Sequence, residues 1–120
     1  MTFIYAGGIT LIRGAKEMAE ASKISNIGIQ VYGPADTSVS DLAKDYPLFS
    51  LHGSLKQEEL FPKYQEASVG LCILHKVPNY LDSYPIKLFE YMASGMAVIA
   101  SDIPMWKEII DEYKCGICLD

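Results

Sequence analysis

The chain has 120 residues, of which half are hydrophobic, and a formal net charge of −5. This length suits one domain with a buried core and is too short for two. The acidic balance argues against broad nucleic-acid binding, which relies on clustered Lys and Arg. The apolar runs are shorter than the roughly twenty residues of a membrane-spanning helix. The first residues follow a strand pattern and not that of a signal peptide.

The first half of the chain alternates strand and helix patterns. Strands are predicted over 3–6, 27–32 and 49–51, and a helix over 15–23 with Met18 and Ala19 facing inward. A second helical repeat is carried by Val39, Leu42, Ala43 and Tyr46. Ser54 and Gln57 have capping-box spacing. They precede a third helix whose apolar face would consist of Leu60, Phe61, Tyr64 and Ala67.

The alternation continues to the end of the chain. Strands are predicted over 69–74, 97–100 and 116–119. Helices are predicted over 86–94 and from near Pro104, the latter marked by Trp106, Ile109, Ile110 and Tyr113. Such alternation predicts βαβ crossovers, and therefore an α/β fold with a parallel sheet covered by helices on both faces.

Three cysteines occur, and Cys115 and Cys118 have the C-x-x-C spacing of a redox pair or half a zinc site. No second such pair follows, and the motif lies where a helix leads into a strand, away from any helix N-terminus. We interpret Cys72, Cys115 and Cys118 as small apolar residues, with Gly116 near a helix C-cap. Reduced thiols suit a cytoplasmic protein. His52 and His75 are isolated and have no D-x-D sequence nearby, so no metal site is predicted.

The most informative segment runs from Asp82 to Asp102, D-S-Y-P-I-K-L-F-E-Y-M-A-S-G-M-A-V-I-A-S-D. Pro85 suits a first helical position, so a loop is expected to end there and Glu90 to lie one to two turns inside the new helix. The free N–H groups of that helix start can hold an anion. The irregular stretch 75–84 follows a strand on the edge where doubly wound sheets bind ligands. A ligand with a phosphate at the helix start and hydroxyls on either side would find acceptors for those hydroxyls in Asp82 and Glu90. That combination is the chemical outline of a nucleotide-sugar.

Two segments resemble a known family. The Asp82 to Glu90 spacing, followed by Y-M-A-S-G-M-A-V-I-A-S-D, resembles the E-x7-E segment of the retaining GT-B glycosyltransferases, also called glycosyl transferases group 1. Asp82 stands at the first glutamate and Pro85 at a glycine. The run P-I-K-L-F-E-Y-M-A-S-G matches the subgroup wording P-x-K-L-F-E-Y-M-A-x-G more closely. About seventy residues earlier, A-G-G-I-T-L-I-R-G resembles the family's V-G-R-L-x-x-x-K-G phosphate loop.

The resemblance implies roles for the helix residues. Glu90 would accept hydrogen bonds from ribose hydroxyls, and the alternative is a surface glutamate paired with Lys87 one turn earlier. Asp82 would contact the transferred sugar, and the alternative is a turn-forming residue in a loop. Lys87 and the backbone around Ile86 would meet the diphosphate. Donor contacts are expected along the whole helix start, at Pro85, Ile86, Lys87 and Leu88.

Residues 6–14, called the glycine loop below, would complete the donor site. Arg13 matches the lysine that neutralises the leaving diphosphate, while Gly8 stands where the family has a second cation, arginine. Gly7 and Gly8 would bring the backbone close to the phosphates, or else form an ordinary strand-to-loop turn. The expected catalytic residues are Asp82, Glu90 and Arg13. Further donor contacts are expected at Ser54, Leu55 and His75.

The resemblance implies one half of an enzyme. Residues 1–120 would form the Rossmann-like, doubly wound donor domain, a piece without its N-terminal acceptor domain and closing C-terminal helices, and inactive alone. The enzyme would be a hexosyltransferase of polysaccharide or glycolipid synthesis that retains anomeric configuration and needs no metal or other cofactor beyond its nucleotide-sugar donor. It would be cytoplasmic, with any contact to the inner membrane face made through the absent domain, and would have no nucleic-acid partner. The alternative is a noncatalytic nucleotide-binding or regulatory module. A phospho-acceptor receiver domain is set aside, because no acidic pair follows the first strand.

Overall fold

A computed structural model describes residues 2–11, 13–74 and 86–119. In this part of the chain, strands and helices alternate without exception. The strands are β1 (Phe3–Ala6), β2 (Ile29–Tyr32), β3 (Phe49–Leu51), β4 (Val69–Cys72), β5 (Ala97–Ser101) and β6 (Gly116–Leu119). The helices are α1 (Ala15–Ser25), α2 (Thr37–Ala43), α3 (Gln57–Glu66), α4 (Ile86–Ala93) and α5 (Pro104–Tyr113).

The six strands form one sheet in the order β3-β2-β1-β4-β5-β6, and all neighbouring pairs are parallel. This is the doubly wound, Rossmann-like arrangement, so the predicted fold class is confirmed. The chain winds outward from β1 to β3 and then crosses back to place β4 on the other side of β1. The topological switch point therefore lies between β1 and β4. Ligands of such sheets bind outside the carboxyl ends of the strands at that point.

The core has two parts because strand side chains alternate between the faces of the sheet. On one face, α1 and α2 cover a cluster that includes Tyr5, Val31, Phe49 and Leu71. On the other face, α3, α4 and α5 cover a cluster that includes Ile4, Ala6, Val98 and Ala100. The inward orientation of Met18 and Ala19 on α1 is confirmed, since both are buried.

Two predicted strands are shorter than expected. β2 begins at Ile29, not at residue 27, because the C-terminal turn of α1 extends through Asn26 in the left-handed conformation, and the Ile27 N–H bonds back to Ser22. β4 ends at Cys72, not at residue 74, because the Leu74 N–H donates to the Ser101 hydroxyl (2.8 Å) and leaves the ladder.

Two predicted caps also differ. The helix after β3 begins at Gln57 with Lys56 as its N-cap, so the Ser54 cap is wrong. The Glu59 carboxylate accepts from the Lys56 backbone N–H (3.2 Å) and stabilises this start. At the end of α5 the left-handed C-cap is Lys114, and Gly116 opens β6. A Cβ on Gly116 would collide with the Val98 carbonyl, which explains the glycine.

Two helices also differ in length from their patterns, since α1 continues to Ser25 and α2 ends at Ala43, before Tyr46. The remaining boundaries lie within a residue of the sequence patterns. α4 spans 86–93 against the expected 86–94, and α5 has Pro104 in its first turn. Within the described residues, no helix is long and apolar enough to cross a membrane. The loop prediction for 75–84 lies outside the described residues.

Candidate functional site

The carboxyl ends of the first three strands are joined by backbone hydrogen bonds. The Gly7 N–H donates to the Tyr32 carbonyl (2.8 Å), and the Gly33 N–H donates to the Gly53 carbonyl (2.9 Å). Beyond Gly7 the chain stays beside the exit of β2, where Ile9 forms an isolated parallel bridge with Ala35. The glycine loop is therefore a fixed extension of the sheet edge.

Glycine is required at two positions of this loop. Gly7 has φ 126° and Gly14 has φ 82°, conformations that L side chains rarely adopt. A Cβ on Gly14 would also collide with the Ile73 side chain. Gly8 differs from both, because its φ lies outside the left-handed region and its Cβ would meet only Pro34, at ordinary contact distance. Gly7 therefore makes a turn that its backbone demands, whereas Gly8 leaves space open.

The Tyr5 side chain bonds to two residues of this loop. Its hydroxyl donates to the Gly8 carbonyl (2.8 Å) and receives a hydrogen bond from the Arg13 guanidinium. Burial raises the pKa of Tyr5 while the adjacent Arg13 acts in the opposite direction. The predicted site residues Gly7, Gly8 and Arg13 thus belong to one loop, with Arg13 held over the end of β1.

Glu90 lies at the junction of α4 and α3, where three side chains of the described residues donate to its carboxylate. The Tyr64 hydroxyl donates to Oε2 (2.9 Å), and the Lys87 ammonium donates to the same atom (3.2 Å). The Gln57 side-chain amide donates to Oε1 (3.2 Å). The side chain of Glu90 is 20% exposed, so the carboxylate is partly desolvated but open to solvent on one side. The Lys87 pair expected as the alternative role therefore exists, as one part of a larger network.

Tyr91 attaches α4 to the switch point. Its ring is fully buried, and its hydroxyl accepts from the Ala6 N–H (3.0 Å) and donates to the Leu71 carbonyl (3.1 Å). The ladder between β1 and β4 ends at the Tyr5–Leu71 pair, so this hydroxyl bonds the two strands where they separate. Gly70 makes room for the ring, since a Cβ there would collide with it. Burial raises the pKa of Tyr91 well above its ordinary value.

The remaining predicted contacts fall into two groups. Ser54 and Ile86 are exposed, Leu55 is half-buried against the core, and Leu88 is fully buried, so the Leu88 side chain faces the sheet and not a ligand. Three predicted site residues lie outside the described residues: His75, Asp82 and Pro85.

The histidines and cysteines of the described residues are candidate metal ligands or redox groups. Across 2–11, 13–74 and 86–119, no three His, Cys, Asp or Glu side chains lie close enough together to hold a metal ion. His52 stacks on Tyr32 (ring centroids 4.9 Å apart) and its Nε2 contacts the Gln30 side chain. The three cysteines are free thiols, and burial raises the pKa of Cys72 to about 12.

Sequence patterns missed four polar contributors to this edge: Tyr5, Gln57, Tyr64 and Tyr91. The sequence patterns place Tyr64 on the apolar face of a helix and assign no polar role to Tyr5 or Tyr91. A buried tyrosine hydroxyl nearly always has a hydrogen-bond partner, and that rule was the available signal.

Comparison with known proteins assigns the family. The profile of the family described as Glycosyl transferases group 1 matches residues 5–120, nearly the entire chain. The chain belongs to the group 1 glycosyltransferases. No curated protein sequence matches it.

A solved structure supports the fold of this group 1 glycosyltransferase domain. The crystal structure of AviGT4, a glycosyltransferase involved in avilamycin A biosynthesis, superimposes with a TM-score of 0.83 over 99% of the chain. The sequences are 17% identical, and the chain spans 37% of the length of AviGT4. The predicted recognition is confirmed at the level of a GT-B glycosyltransferase domain.

Proposed function

We propose that this domain binds a nucleoside-diphosphate sugar at the switch point and serves as the donor half of a retaining hexosyltransferase. The observation that carries the proposal is the pair of hydrogen bonds made by Tyr91. One of these bonds joins Tyr91, the residue after Glu90, to Ala6, the residue before Gly7. A turn of positive φ, a cation and a helix carboxylate therefore share one edge of the sheet.

The diphosphate would occupy the space between the glycine loop and the start of α4. Arg13 would neutralise it as a bidentate donor, and Lys87 would add a point charge from the first turn of α4. The free N–H groups around Ile86 would add a helix N-terminus. Because backbone N–H groups of a helix keep their positions when a ligand binds, they need little rearrangement as leaving-group charge develops.

The ribose would lie toward Glu90, whose carboxylate oxygens accept hydroxyl protons. Asp82 would contact the transferred hexose near its anomeric carbon. In the reaction the bond between that carbon and the diphosphate breaks, a bond to an acceptor oxygen forms with the same configuration, and the hydroxyl proton of the acceptor passes to the departing diphosphate. No metal would be needed, since the cations of the protein carry the charge.

The acceptor would be held by a second, N-terminal domain, so this chain alone would not catalyse transfer. The products would be polysaccharides or glycolipids made in the cytoplasm, with any membrane contact made through that other domain.

Gly8 favours a second candidate, a noncatalytic nucleotide-binding module. The glycine loop has one cation, Arg13, whereas the family pattern that it resembles has two, a lysine and an arginine. The backbone at Gly8 would accept a side chain, so the fold does not require glycine in place of the arginine there.

One experiment separates these possibilities. The full-length protein is incubated with UDP-, GDP- and ADP-hexoses, binding is followed by thermal shift, and the released nucleotide and the anomeric configuration of the product are measured by NMR. Binding with retained configuration supports the proposal. Binding without transfer or donor hydrolysis supports the noncatalytic module, and the absence of binding by every donor contradicts both.

A further inference from the structure

We propose that Tyr64 is a positioning residue that fixes the Glu90 carboxylate for the ribose hydroxyls of the donor. The inference rests on the proposed function, in which Glu90 receives the ribose. It assigns to a buried residue of α3 a role in ligand affinity that its packing alone would not require.

The first step is the occupancy of the carboxylate. Each oxygen of an ionised carboxylate offers about two acceptor positions. Among residues 2–11, 13–74 and 86–119, Oε2 receives both Tyr64 (2.9 Å) and Lys87 (3.2 Å), whereas Oε1 receives one donor, Gln57 (3.2 Å). Oε2 is therefore the oxygen held by the protein, and Oε1 is the oxygen with capacity left for a ligand hydroxyl.

The second step is the difference in rigidity among the three donors. Tyr64 is fully buried, whereas Gln57 is exposed and the Lys87 side chain is 32% exposed. Long exposed side chains lose rotamer freedom when they hold one geometry, while a packed tyrosine ring has already lost it. Gln57 can leave Oε1 to a second ribose hydroxyl, and Tyr64 remains on Oε2.

The third step connects Tyr64 to the sheet. Its ring packs edge-on against Tyr91, with centroids 5.5 Å apart and planes at 81°. Tyr91 is bonded to β1 and β4 through its hydroxyl. The hydroxyl of Tyr64 is thus placed relative to the switch point, and with it the carboxylate of Glu90.

The fourth step is the protonation state of the phenol. Burial, followed by the hydrogen bond to Glu90 and its charge, raises the pKa of Tyr64 far above the physiological range. The hydroxyl therefore remains a donor to Glu90 at every pH where the protein functions.

The test compares ribose with deoxyribose. Affinities of the full-length protein for UDP, GDP and ADP, and for the 2′,3′-dideoxy counterpart of each, are measured by calorimetry. For a nucleotide that binds, the ratio of dideoxy to ribo dissociation constants is taken within each variant. A change in folded fraction then cancels. We expect Tyr64→Phe, which removes only the hydroxyl, to lower this ratio about fivefold. This is less than the loss of a whole hydrogen bond to a charged group, because the Glu90 carboxylate is still present.

Two further variants serve as controls. Gln57→Ala removes a donor to the same carboxylate from the same helix, and the ratio is expected to stay at or above the wild-type value, because Gln57 occupies the oxygen that the ribose would use. Tyr64→Phe placed in a Glu90→Gln background is expected to cause no further change, because the carboxylate it positions is gone. A purely structural effect of Tyr64 would persist in that background.

The outcomes are distinct. An unchanged ratio in Tyr64→Phe, while Glu90→Gln lowers it, overturns the role of Tyr64 and leaves the donor site standing. Equal effects of Tyr64→Phe and Gln57→Ala also overturn it. If Glu90→Gln itself leaves the ratio unchanged, the ribose assignment of the proposed function is the part that fails.

Discussion

Arg13 is the one cation that the phosphate loop supplies through the residues A-G-G-I-T-L-I-R-G, and Tyr5 holds it over the end of β1. If the loop takes part in catalysis, Arg13 meets charge that grows as the leaving diphosphate separates. We expect Arg13→Ala to lower kcat about a hundredfold, in the range of other lost transition-state donors, and nucleotide affinity far less. Turnover and calorimetric affinity of the same protein preparations provide the measurement.

Lys16→Ala is the matched control, because Lys16 is an exposed cation three residues further along the chain. Its turnover and affinity are expected to match the wild type. Equal losses of turnover and affinity in Arg13→Ala would show that Arg13 only binds, and would refute the transition-state role.

Glu90 shows how far sequence reasoning reaches for a single residue. Its pairing with Lys87 follows from helical spacing alone, and the structure confirms it at 3.2 Å. The contact with Tyr64 joins residues 26 positions apart on different helices. No periodicity encodes such a contact, because it depends on how α3 and α4 pack on the sheet.

At the scale of elements, the buried hydroxyl of Tyr91 bonds α4 to two strands of the sheet. Tyr91→Phe keeps the ring against Gly70 and leaves the Ala6 N–H and Leu71 carbonyl without that partner. Leaving buried polar groups unpaired costs about 1–3 kcal/mol, so we expect the free energy of unfolding to fall by that amount. Urea titration followed by circular dichroism measures it.

Tyr113→Phe serves as the control for that substitution, since Tyr113 on α5 is 60% exposed. Its free energy of unfolding is expected to stay at the wild-type value. A Tyr91→Phe protein as stable as Tyr113→Phe would mean that α4 is positioned by packing alone.

The elements themselves were largely predictable, and their ends were not. Helix and strand periods placed all eleven elements in order, but β2 and β4 are each two residues shorter than their apolar runs. An apolar run continues through Ile27 and Leu74, whereas the ladder stops where backbone groups bond to Ser22 and Ser101. Hydrogen-bond partners decide the boundary, and hydrophobicity does not encode them.

At the scale of the whole molecule, the doubly wound sheet gathers the loop and α4 on one edge, so the protein supplies its own positive charge there. We expect EDTA to leave sugar transfer by the full-length protein unchanged, because in the proposed site Arg13, Lys87 and the start of α4 would meet the diphosphate. The measurement is the initial rate with and without EDTA. Activity that disappears with EDTA and returns with magnesium or manganese would contradict this charge assignment.

The fold class was predictable because strict alternation of strand and helix permits few arrangements. The motif resemblance implies that Gly7, Arg13 and Glu90 lie on one edge of the sheet, and the hydrogen bond from Ala6 to Tyr91 supports that prediction. The positions of His75, Asp82 and Pro85 lie outside the described residues, so their roles stay predictions.

The central claim is that the Glu90 carboxylate receives the ribose of a nucleotide donor. Glu90→Gln keeps the side-chain volume and removes the charge, and a charge-assisted hydrogen bond contributes about 1.5–3 kcal/mol. Calorimetry of the full-length protein with UDP, GDP and ADP is therefore expected to show affinity for the bound nucleotide falling about tenfold or more in this variant, with the fold retained. Equal affinity of wild type and Glu90→Gln for every nucleotide that binds would contradict the account.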